Sequence, residues 1–331
     1  MRFGVCFSPD PPPDRWVELS RLAESQGFEY VWLWDSHVLW QEVYPVFTLI
    51  ARATERIRIG PLVPNPITRD PTVTASALAT LDEISGGRMD MGIGRGDSAR
   101  RVIGKTPVSV ERMERASGLI RDLVAGREVD YDGTPIQLTW AHWDLPVWMA
   151  AYGPKALRAV GRVADGLIMQ LADPFIVEWS LRYLREGAEE AGRDPGDIQI
   201  MCAAPSVVTD DLASARDQVR WFPALVSNHV VDLVNRYAGD ELPQELTDYI
   251  RARDHYDYAD HGRRGAEHAG FVTDEIVDRF CVLGTVEQVT KKLEELEGIG
   301  VHQFNIYAME IEDQERLIET YGREIIPAFR D

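Results

Sequence analysis

The sequence predicts an α/β fold, a (β/α)8 TIM barrel with a helical insertion between strands seven and eight. Two observations predict it. Short apolar runs of strand character alternate with amphipathic helical patterns through most of the 331 residues, and this alternation favours a parallel sheet. Eight strand–helix units also fit one closed barrel of about 250 residues plus an insertion better than an open, doubly wound sheet. Proline and glycine lie mainly between the units, where they end elements rather than interrupt them.

The predicted elements follow one another along the chain. The barrel strands are predicted over residues 2–7, 30–34, 57–63, 88–93, 146–150, 166–170, 198–208 and 301–307. Helices are predicted over residues 14–26, 43–54, 71–84, 110–125, from 154 onwards, 174–191 and 313–326. Gly27, Gly86 and Gly126 come just after the ends of three of these helices, which is a usual position for glycine. A hairpin is predicted at 128–138 around Asp132-Gly133, because this dipeptide favours tight turns.

Residues 210–283 break the alternation of strands and helices. The segment has a helical, polar pattern rich in Asp, Arg and His, and no Ser/Gly-rich linker borders it. We therefore interpret it as an insertion within a single domain of residues 1–331, and expect it to form a lid over the substrate. His261 and His268 lie in it, but their spacing matches no metal signature. We expect them to be solvated lid residues, and expect no metal.

Composition and charge restrict the partners. The chain has 35 basic and 54 acidic residues, a net charge of −19, so its field repels nucleic acids and anionic membranes. No apolar run is long enough to span a bilayer. Cys6, Cys202 and Cys281 are far apart, which favours neither a disulfide framework nor a thiolate metal site. Since the chain opens with a strand pattern rather than a secretory signal, we expect a soluble, cytoplasmic protein.

A glycine-rich loop, residues 92–98, follows the fourth predicted strand. Gly94, Gly96 and Ala99 match the relaxed dinucleotide pattern G-x-G-x-x-A. Glycine lets the backbone approach a ligand closely, and successive N–H groups can bind an anion. The alternative is a tight turn at the barrel rim.

Two further loops carry polar residues at strand ends, where barrel enzymes place their chemistry. After the fifth strand, residues 150–155 lead into a helix with Pro154 at its first position, which is a favourable phosphate site that Lys155 could strengthen. The alternative is an ordinary strand-to-helix turn. After the second strand come Asp35 and His37 with tryptophans on either side. They could flank a planar cofactor and transfer protons, or else cap and pack the rim.

A resemblance to a known family covers most of the chain and is weakest in residues 210–270. It is carried by Asn65-Pro66 with Arg69 and Pro71, the run 74–83, Gly87-Arg88, the run 92–97, the run 27–30 with Trp32, Gly153-Pro154, the run 164–166 and the run 282–285. In this order the motifs resemble the bacterial-luciferase-like superfamily, and within it the F420-dependent methylenetetrahydromethanopterin reductases. The resemblance implies a TIM barrel with an insertion, a homodimer, and coenzyme F420 at the carboxyl ends of the strands.

The resemblance also implies roles for individual residues. It implies a non-prolyl cis peptide at Leu62-Val63 behind the deazaflavin ring. The residues implied to bind the coenzyme, with its phosphate at 151–155 and its tail along 94–98, are Leu62, Val63, Asn65, Gly94, Arg95, Gly96, Asp97, Ser98, Ala151, Tyr152, Gly153, Pro154 and Lys155. Relatives carry an adjacent Asp-His pair, whereas Ser36 separates Asp35 from His37 here. We expect His37 to transfer the proton, with Asp35 and Trp40 orienting and shielding.

One position departs from the reductases. They carry a glutamate in the first strand, proposed to act at the pterin, where this chain has Cys6. A neutral thiol does not replace a carboxylate without a strongly shifted pKa, so a pterin substrate is in doubt. We expect Cys6 and Trp40 to contact a different small organic substrate.

The function predicted from these residues is hydride transfer between F420 and a small organic substrate. The alternative is a two-component monooxygenase that uses reduced FMN and oxygen, since the superfamily contains both kinds of enzyme. A barrel that only binds or stores flavin is a further alternative, but the polar residues at the barrel mouth would then have no function.

Overall fold

Eight parallel strands form a closed barrel in the computed structural model, which describes residues 1–10, 12–237, 248, 250–251, 253 and 255–330. The barrel strands are β1 (Arg2–Phe7), β2 (Tyr30–Leu33), β3 (Arg58–Pro61), β4 (Met91–Ile93), β7 (Val147–Ala150), β8 (Gly166–Met169), β9 (Gln199–Ala204) and β12 (Gln303–Tyr307). They are hydrogen-bonded in the order β3-β2-β1-β12-β9-β8-β7-β4. A parallel bridge from Ile59 to Met89 joins β3 to the chain entering β4. The predicted TIM-barrel fold is confirmed.

Twelve α-helices within the described residues surround the barrel or extend beyond it. They are α1 (Pro13–Ser25), α2 (Val43–Ala53), α3 (Pro71–Ser85), α4 (Ser98–Arg101), α5 (Val110–Val124), α6 (Pro154–Val163), α7 (Pro174–Glu190), α8 (Leu212–Val219), α9 (Trp221–Tyr237), α10 (Asp274–Phe280), α11 (Val286–Gly298) and α12 (Gln314–Thr320). Asp70, Asp173 and Thr285 accept hydrogen bonds from the first turns of α3, α7 and α11. Such caps satisfy backbone N–H groups that have no partner within a helix.

Two short strand pairs lie outside the barrel. The predicted hairpin is present as the antiparallel pair β5 (Val129–Tyr131) and β6 (Thr134–Ile136). The predicted strand 198–208 is divided at Pro205, and its second part, β10 (Ser206–Val208), pairs in parallel with β11 (Val282–Gly284). Proline has no N–H to donate to a ladder, so a break there is expected physically.

The segment between β9 and β12 differs most from the sequence prediction. Its described part contains α8, α9 and α10, as the helical pattern predicts, while the insertion bounds 210–283 stay a prediction. The sequence analysis missed α11, although Thr285 and Gln288 form a reciprocal capping box at its start. The last predicted helix, residues 313–326, is an α-helix only as far as Thr320. One π turn and one 3₁₀ turn follow it. No helix among the described residues is long and apolar enough to cross a membrane.

Arg88 holds together the turn between α3 and β4 and the chain that follows α2. Its Nε donates to Ser85 O at 2.7 Å, and its Nη1 donates to Thr54 Oγ1 and Ile57 O at 3.0 and 2.8 Å. Its Nη2 donates to Ala51 O and Thr54 O at 2.8 and 3.0 Å. All five N–H groups of the guanidinium are therefore used, four of them on backbone carbonyls.

We expect Arg88→Met to lower the free energy of unfolding by at least about 3 kcal/mol, because it leaves four partly buried carbonyls without donors. Arg88→Lys keeps the charge but not the planar fork, so it should recover only part of the loss. Urea denaturation followed by circular dichroism measures both. A loss under about 1 kcal/mol for the methionine variant would show that these bonds are replaced by water.

Candidate functional site

The carboxyl ends of the barrel strands open into a cavity. The loops after β2, β3, β4, β7 and β8 line it, and the segment between β9 and β12 covers one side. The lining residues from the loops are Trp34, Asp35, Ser36, Trp40, Leu62, Val63, Gly94, Arg95, Gly96, Asp97, Pro107, Ala151, Tyr152, Gly153 and Gln170. The helices and the covering segment add Ser98, Ala99, Val110, Lys155, Ala156, Leu225, Asn228, His229 and His261, and Ala150 and Ile168 come from β7 and β8. This is the face on which barrel enzymes carry their active sites.

Asp35 places a carboxyl group in the cavity wall. Burial raises the pKa of this carboxyl from its ordinary 3.8 to about 7; the nearby Glu42 raises it further and Arg69 opposes the rise. The neighbouring Ser36 hydroxyl lies 2.6 Å from the Ser98 hydroxyl, which ties the loop after β2 to the loop after β4. Asp35 therefore exchanges a proton near neutral pH, as a general acid or base requires.

His37 does not join Asp35 in the cavity. Its side chain is exposed, and it is not among the lining residues. Successive residues of a loop point in different directions, and here Ser36 and Trp40 are buried while His37 and Val38 face solvent. The geometry thus supports Asp35 and Trp40 as site residues and does not support the catalytic role predicted for His37.

The loops after β3 and β4 approach each other closely. The peptide bond Leu62-Val63 is cis, as the resemblance implies. A Cβ atom at Gly94 would lie 2.6 Å from Val63 Cγ2, so only glycine fits beside this wall. Asn65, in contrast, does not line the cavity: its amide bonds Thr68 Oγ1 and the N–H groups of Ile67 and Thr68. The position of Asn65 therefore does not support the predicted contact with the coenzyme. Its amide instead shapes the loop after β3.

Charged groups of the glycine-rich loop are held by local contacts. Arg95 Nε donates to Val108 O at 2.6 Å, and Arg101 Nε donates to Asp97 Oδ1 at 2.6 Å. The second carboxylate oxygen of Asp97 is buried in the cavity wall and has no hydrogen-bond partner within the described residues. Gly96 has a φ of 80°, a conformation that glycine adopts readily.

The start of α6 forms the wall after β7. Gly153 is the N-cap in extended conformation, with φ −96° and ψ 156°, and Pro154 follows at the first helical position. The N–H groups of Lys155 and Ala156 belong to the first turn, which has no partners within the helix. Pro154 itself is not a lining residue, and the Lys155 ammonium pairs with Glu111 at the surface. The backbone here, with the positive end of the helix dipole, favours an anion.

Cys6 lies in the barrel core rather than in the cavity. Its side chain is fully buried, and burial raises the pKa of its thiol well above the ordinary value. The position of Cys6 therefore does not support the substrate contact expected there. The described residues contain no group of three or more His, Cys, Asp or Glu side chains that could hold a metal ion.

The segment after β9 contributes residues that sequence reasoning missed. The His229 ring stacks on Tyr152 with 4.5 Å between centroids. Tyr152 donates to Gln170 Oε1 at 2.6 Å, and Gln170 Nε2 donates to Tyr307 at 2.8 Å. Gln170 directly follows a strand, so its position could have identified it; the histidine of α9 carried no such signal.

His261 and His268 are buried, at 6% and 4% exposure, so the expectation of solvated lid residues was wrong. Trp34 and Trp40 enclose the His261 ring, with centroids 6.2 Å away. The His268 ring packs 4.1 Å from that of Tyr256. The polar, charged average of the segment hid these ring contacts, although residues 221–228 are buried as well.

Comparisons with known proteins agree with this architecture. The chain is 32% identical to 5,10-methylenetetrahydromethanopterin reductase of Methanolobus tindarius, over 98% of this chain and 100% of that protein. It is 26% identical to F420-dependent glucose-6-phosphate dehydrogenase of Microbacterium testaceum, over 100% of this chain and 98% of that protein. The solved structure of coenzyme F420 dependent tetrahydromethanopterin reductase from Methanopyrus kandleri matches with a TM-score of 0.80 at 27% identity, covering 99% of both chains.

The family assignment rests on the length of the match as well as on these relatives. The family model described as luciferase-like monooxygenase matches residues 1–303, which includes the first seven barrel strands, the first residue of β12 and every loop that lines the cavity. The resemblance found in the sequence is confirmed. The chain belongs to the luciferase-like monooxygenase family.

Proposed function

We propose that this protein is an F420-dependent oxidoreductase that transfers a hydride between the deazaflavin and a small organic substrate. The observation that carries the proposal is that Asp35, the glycine-rich loop and the start of α6 line the same cavity. The relatives named above that are F420-dependent by description support the choice of coenzyme.

The cavity residues fit such a coenzyme. The wall at Leu62-Val63, beside which only glycine fits at position 94, suits a flat ring system. The first turn of α6 offers backbone N–H groups to a phosphate, and the loop 94–98 offers Arg95 and Ser98 to an anionic tail. When bound, the deazaflavin supplies a two-electron hydride chemistry and disfavours reaction with oxygen.

The protein's own catalytic contribution is a proton. Asp35 is positioned in the wall, and burial keeps the pKa of its carboxyl at about 7. Reduction of a substrate needs a proton donor and oxidation needs an acceptor, and a group that titrates near neutral pH serves both directions. Trp34 and Trp40 are buried in the wall of the same cavity, and we propose that they shield the carboxyl from water.

The alternative function is a two-component FMN-dependent monooxygenase. The family carries that name, and the solved monooxygenase RslO1 from Streptomyces bottropensis matches with a TM-score of 0.73, but at 20% identity it shows the fold alone. The relatives with higher identity are described as F420-dependent or as methylenetetrahydromethanopterin reductases. We therefore favour the oxidoreductase.

Oxygen consumption separates these two functions. We expect the protein to leave the oxidation of reduced FMN by oxygen unaccelerated, within about twofold of the rate without protein, since the proposed chemistry does not involve oxygen. Stopped-flow mixing of reduced FMN and protein with oxygenated buffer measures it, with a protein-free sample as the control. Protein-dependent oxygen consumption beyond that range would favour the monooxygenase.

Two further proposals concern the quaternary structure and the cellular location of the protein. A homodimer is supported by Leu49 and Val73, which are 45% and 49% exposed on the neighbouring helices α2 and α3, and light scattering tests it. A cytoplasmic location is supported by Cys6, Cys202 and Cys281, which are all free thiols.

A further inference from the structure

Among the described residues, three buried donors in the cavity wall have no acceptor: Trp34 Nε1, Trp40 Nε1 and Asn228 Nδ2. Trp40 and Asn228 are 7% and 2% exposed, yet Trp40 Nε1 and Asn228 Nδ2 have no hydrogen-bond partner within the described part of the chain. Both residues line the cavity, as does His261; we call these three residues the donor corner. A buried donor without a partner is costly, so donors left open in a cavity wall indicate a ligand that supplies the acceptor.

A network of side chains holds the donor corner. Arg253 Nη2 donates to Asn228 Oδ1 at 2.6 Å, which occupies the amide oxygen and assigns the open position to Nδ2. The Arg253 guanidinium lies 5.3 Å from the centre of the Tyr256 ring, and the Tyr256 hydroxyl shares a 2.8 Å hydrogen bond with His261 Nδ1. The His261 ring in turn lies 6.2 Å from that of Trp40. The three residues of the corner therefore form one connected unit.

The donor corner carries no positive charge. Burial lowers the pKa of His261 to about 4, so its imidazole is neutral at neutral pH, and with Nδ1 bonded to Tyr256 its Nε2 remains for a ligand. The Asp97 carboxylate lines the same cavity and acts on His261, as do His229 and His268. The cation beside the corner, Arg253, donates to Asn228 Oδ1 and is not among the lining residues. A phosphate or carboxylate at the corner would therefore face the Asp97 carboxylate without a cation of the cavity wall to pair with.

We infer that the donor corner recognises an uncharged substrate through a hydrogen-bond-accepting oxygen, such as a carbonyl. Asn228 and His261 are then specificity-determining residues, contributed by the segment between β9 and β12. The inference deepens the proposed function and rests on it, because it takes the cavity to hold the substrate beside Asp35. It explains why two donors and a neutral imidazole are buried together without acceptors.

Three probes of one shape test this inference: cyclohexanone, methylenecyclohexane and cyclohexanecarboxylate, titrated into the F420-loaded protein and followed by saturation-transfer NMR. We expect cyclohexanone to bind at least about fivefold more tightly than the other two probes. This is the gain in affinity expected when one buried donor obtains an acceptor. Asn228→Leu and His261→Phe should each weaken cyclohexanone binding by about that factor and leave methylenecyclohexane unchanged. His255→Phe is the matched control, since His255 is exposed and outside the cavity.

The binding of F420 is measured first on the same samples, and this separates the two possible failures. F420 binding together with equal affinity for the three probes, or tighter binding of the carboxylate, would overturn the inference alone. Unchanged cyclohexanone binding in both variants would overturn it too, while absent F420 binding would overturn the proposed function. Thermal unfolding of each variant checks that the fold persists.

Discussion

Replacement of Asp35 by asparagine is expected to lower kcat by about 10²–10⁴-fold, the usual contribution of general acid–base catalysis. Asparagine has nearly the same shape but neither donates nor accepts the proton. F420 affinity should stay within about twofold of the wild type, because Asp35 is not among the residues proposed to hold the coenzyme. Steady-state kinetics and fluorescence titration of the same preparations give both values.

The pH dependence follows from the raised pKa of Asp35, about 7. Substrate reduction needs the protonated acid, so its rate should fall as pH rises through 7. Substrate oxidation needs the carboxylate, so its rate should fall as pH drops through 7. Both inflections should disappear in Asp35→Asn, and His37→Ala is the control expected to keep wild-type turnover and profile.

Stability gives a second readout, which reports the raised pKa of Asp35 independently of turnover. The pKa of Asp35 is raised from 3.8 to about 7 on folding, so folding favours the protonated form. Its contribution to stability is therefore lost as pH rises from about 4 to 7. Asp35→Asn should be more stable than the wild type at pH 8 by at least about 1 kcal/mol. Wild-type turnover in Asp35→Asn, or loss of turnover in His37→Ala, would contradict the assignment.

The second large effect concerns the coenzyme. We expect F420 to bind at least about tenfold more tightly than FMN, because its anionic tail extends beyond the shared phosphate and can reach Arg95. Arg95→Ala should weaken F420 binding and leave FMN binding unchanged, so the ratio of the two affinities should fall. Arg115→Ala is the control, since Arg115 pairs with Asp132 at the surface away from this cavity.

Gly153→Val tests the contribution of the phosphate to binding separately from that of the tail. Valine adopts the extended conformation that Gly153 has, with φ −96° and ψ 156°, so the fold should persist. Its side chain would obstruct the first turn of α6 and should weaken both F420 and FMN by at least about tenfold. A variant that binds both cofactors as the wild type does would remove the start of α6 from the coenzyme site.

The barrel was predictable because its signal repeats. Each unit combines a buried strand such as β1 or β9 with an amphipathic helix, and eight repetitions outweigh single errors such as the missed α11. The glycine-rich loop and the Gly153-Pro154 turn were predictable for a local reason, since each motif encodes its own backbone shape.

The direction of side chains and the long-range contacts were not predictable in the same way. Sequence spacing places Asp35 and His37 on one loop, but only the packing of Trp40 and the bond between Ser36 and Ser98 decide which of the two faces the cavity. Asn228 and His261 come from a polar segment without periodicity. Their proximity depends on Arg253 and Tyr256, which sequence alone does not bring together.

Equilibrium titration of F420 and of FMN into the purified protein tests the central claim most directly. The account predicts that F420 binds at least about tenfold more tightly, that Arg95→Ala reduces this preference, and that Gly153→Val weakens both cofactors. Tighter binding of FMN than of F420 would contradict it and favour the monooxygenase.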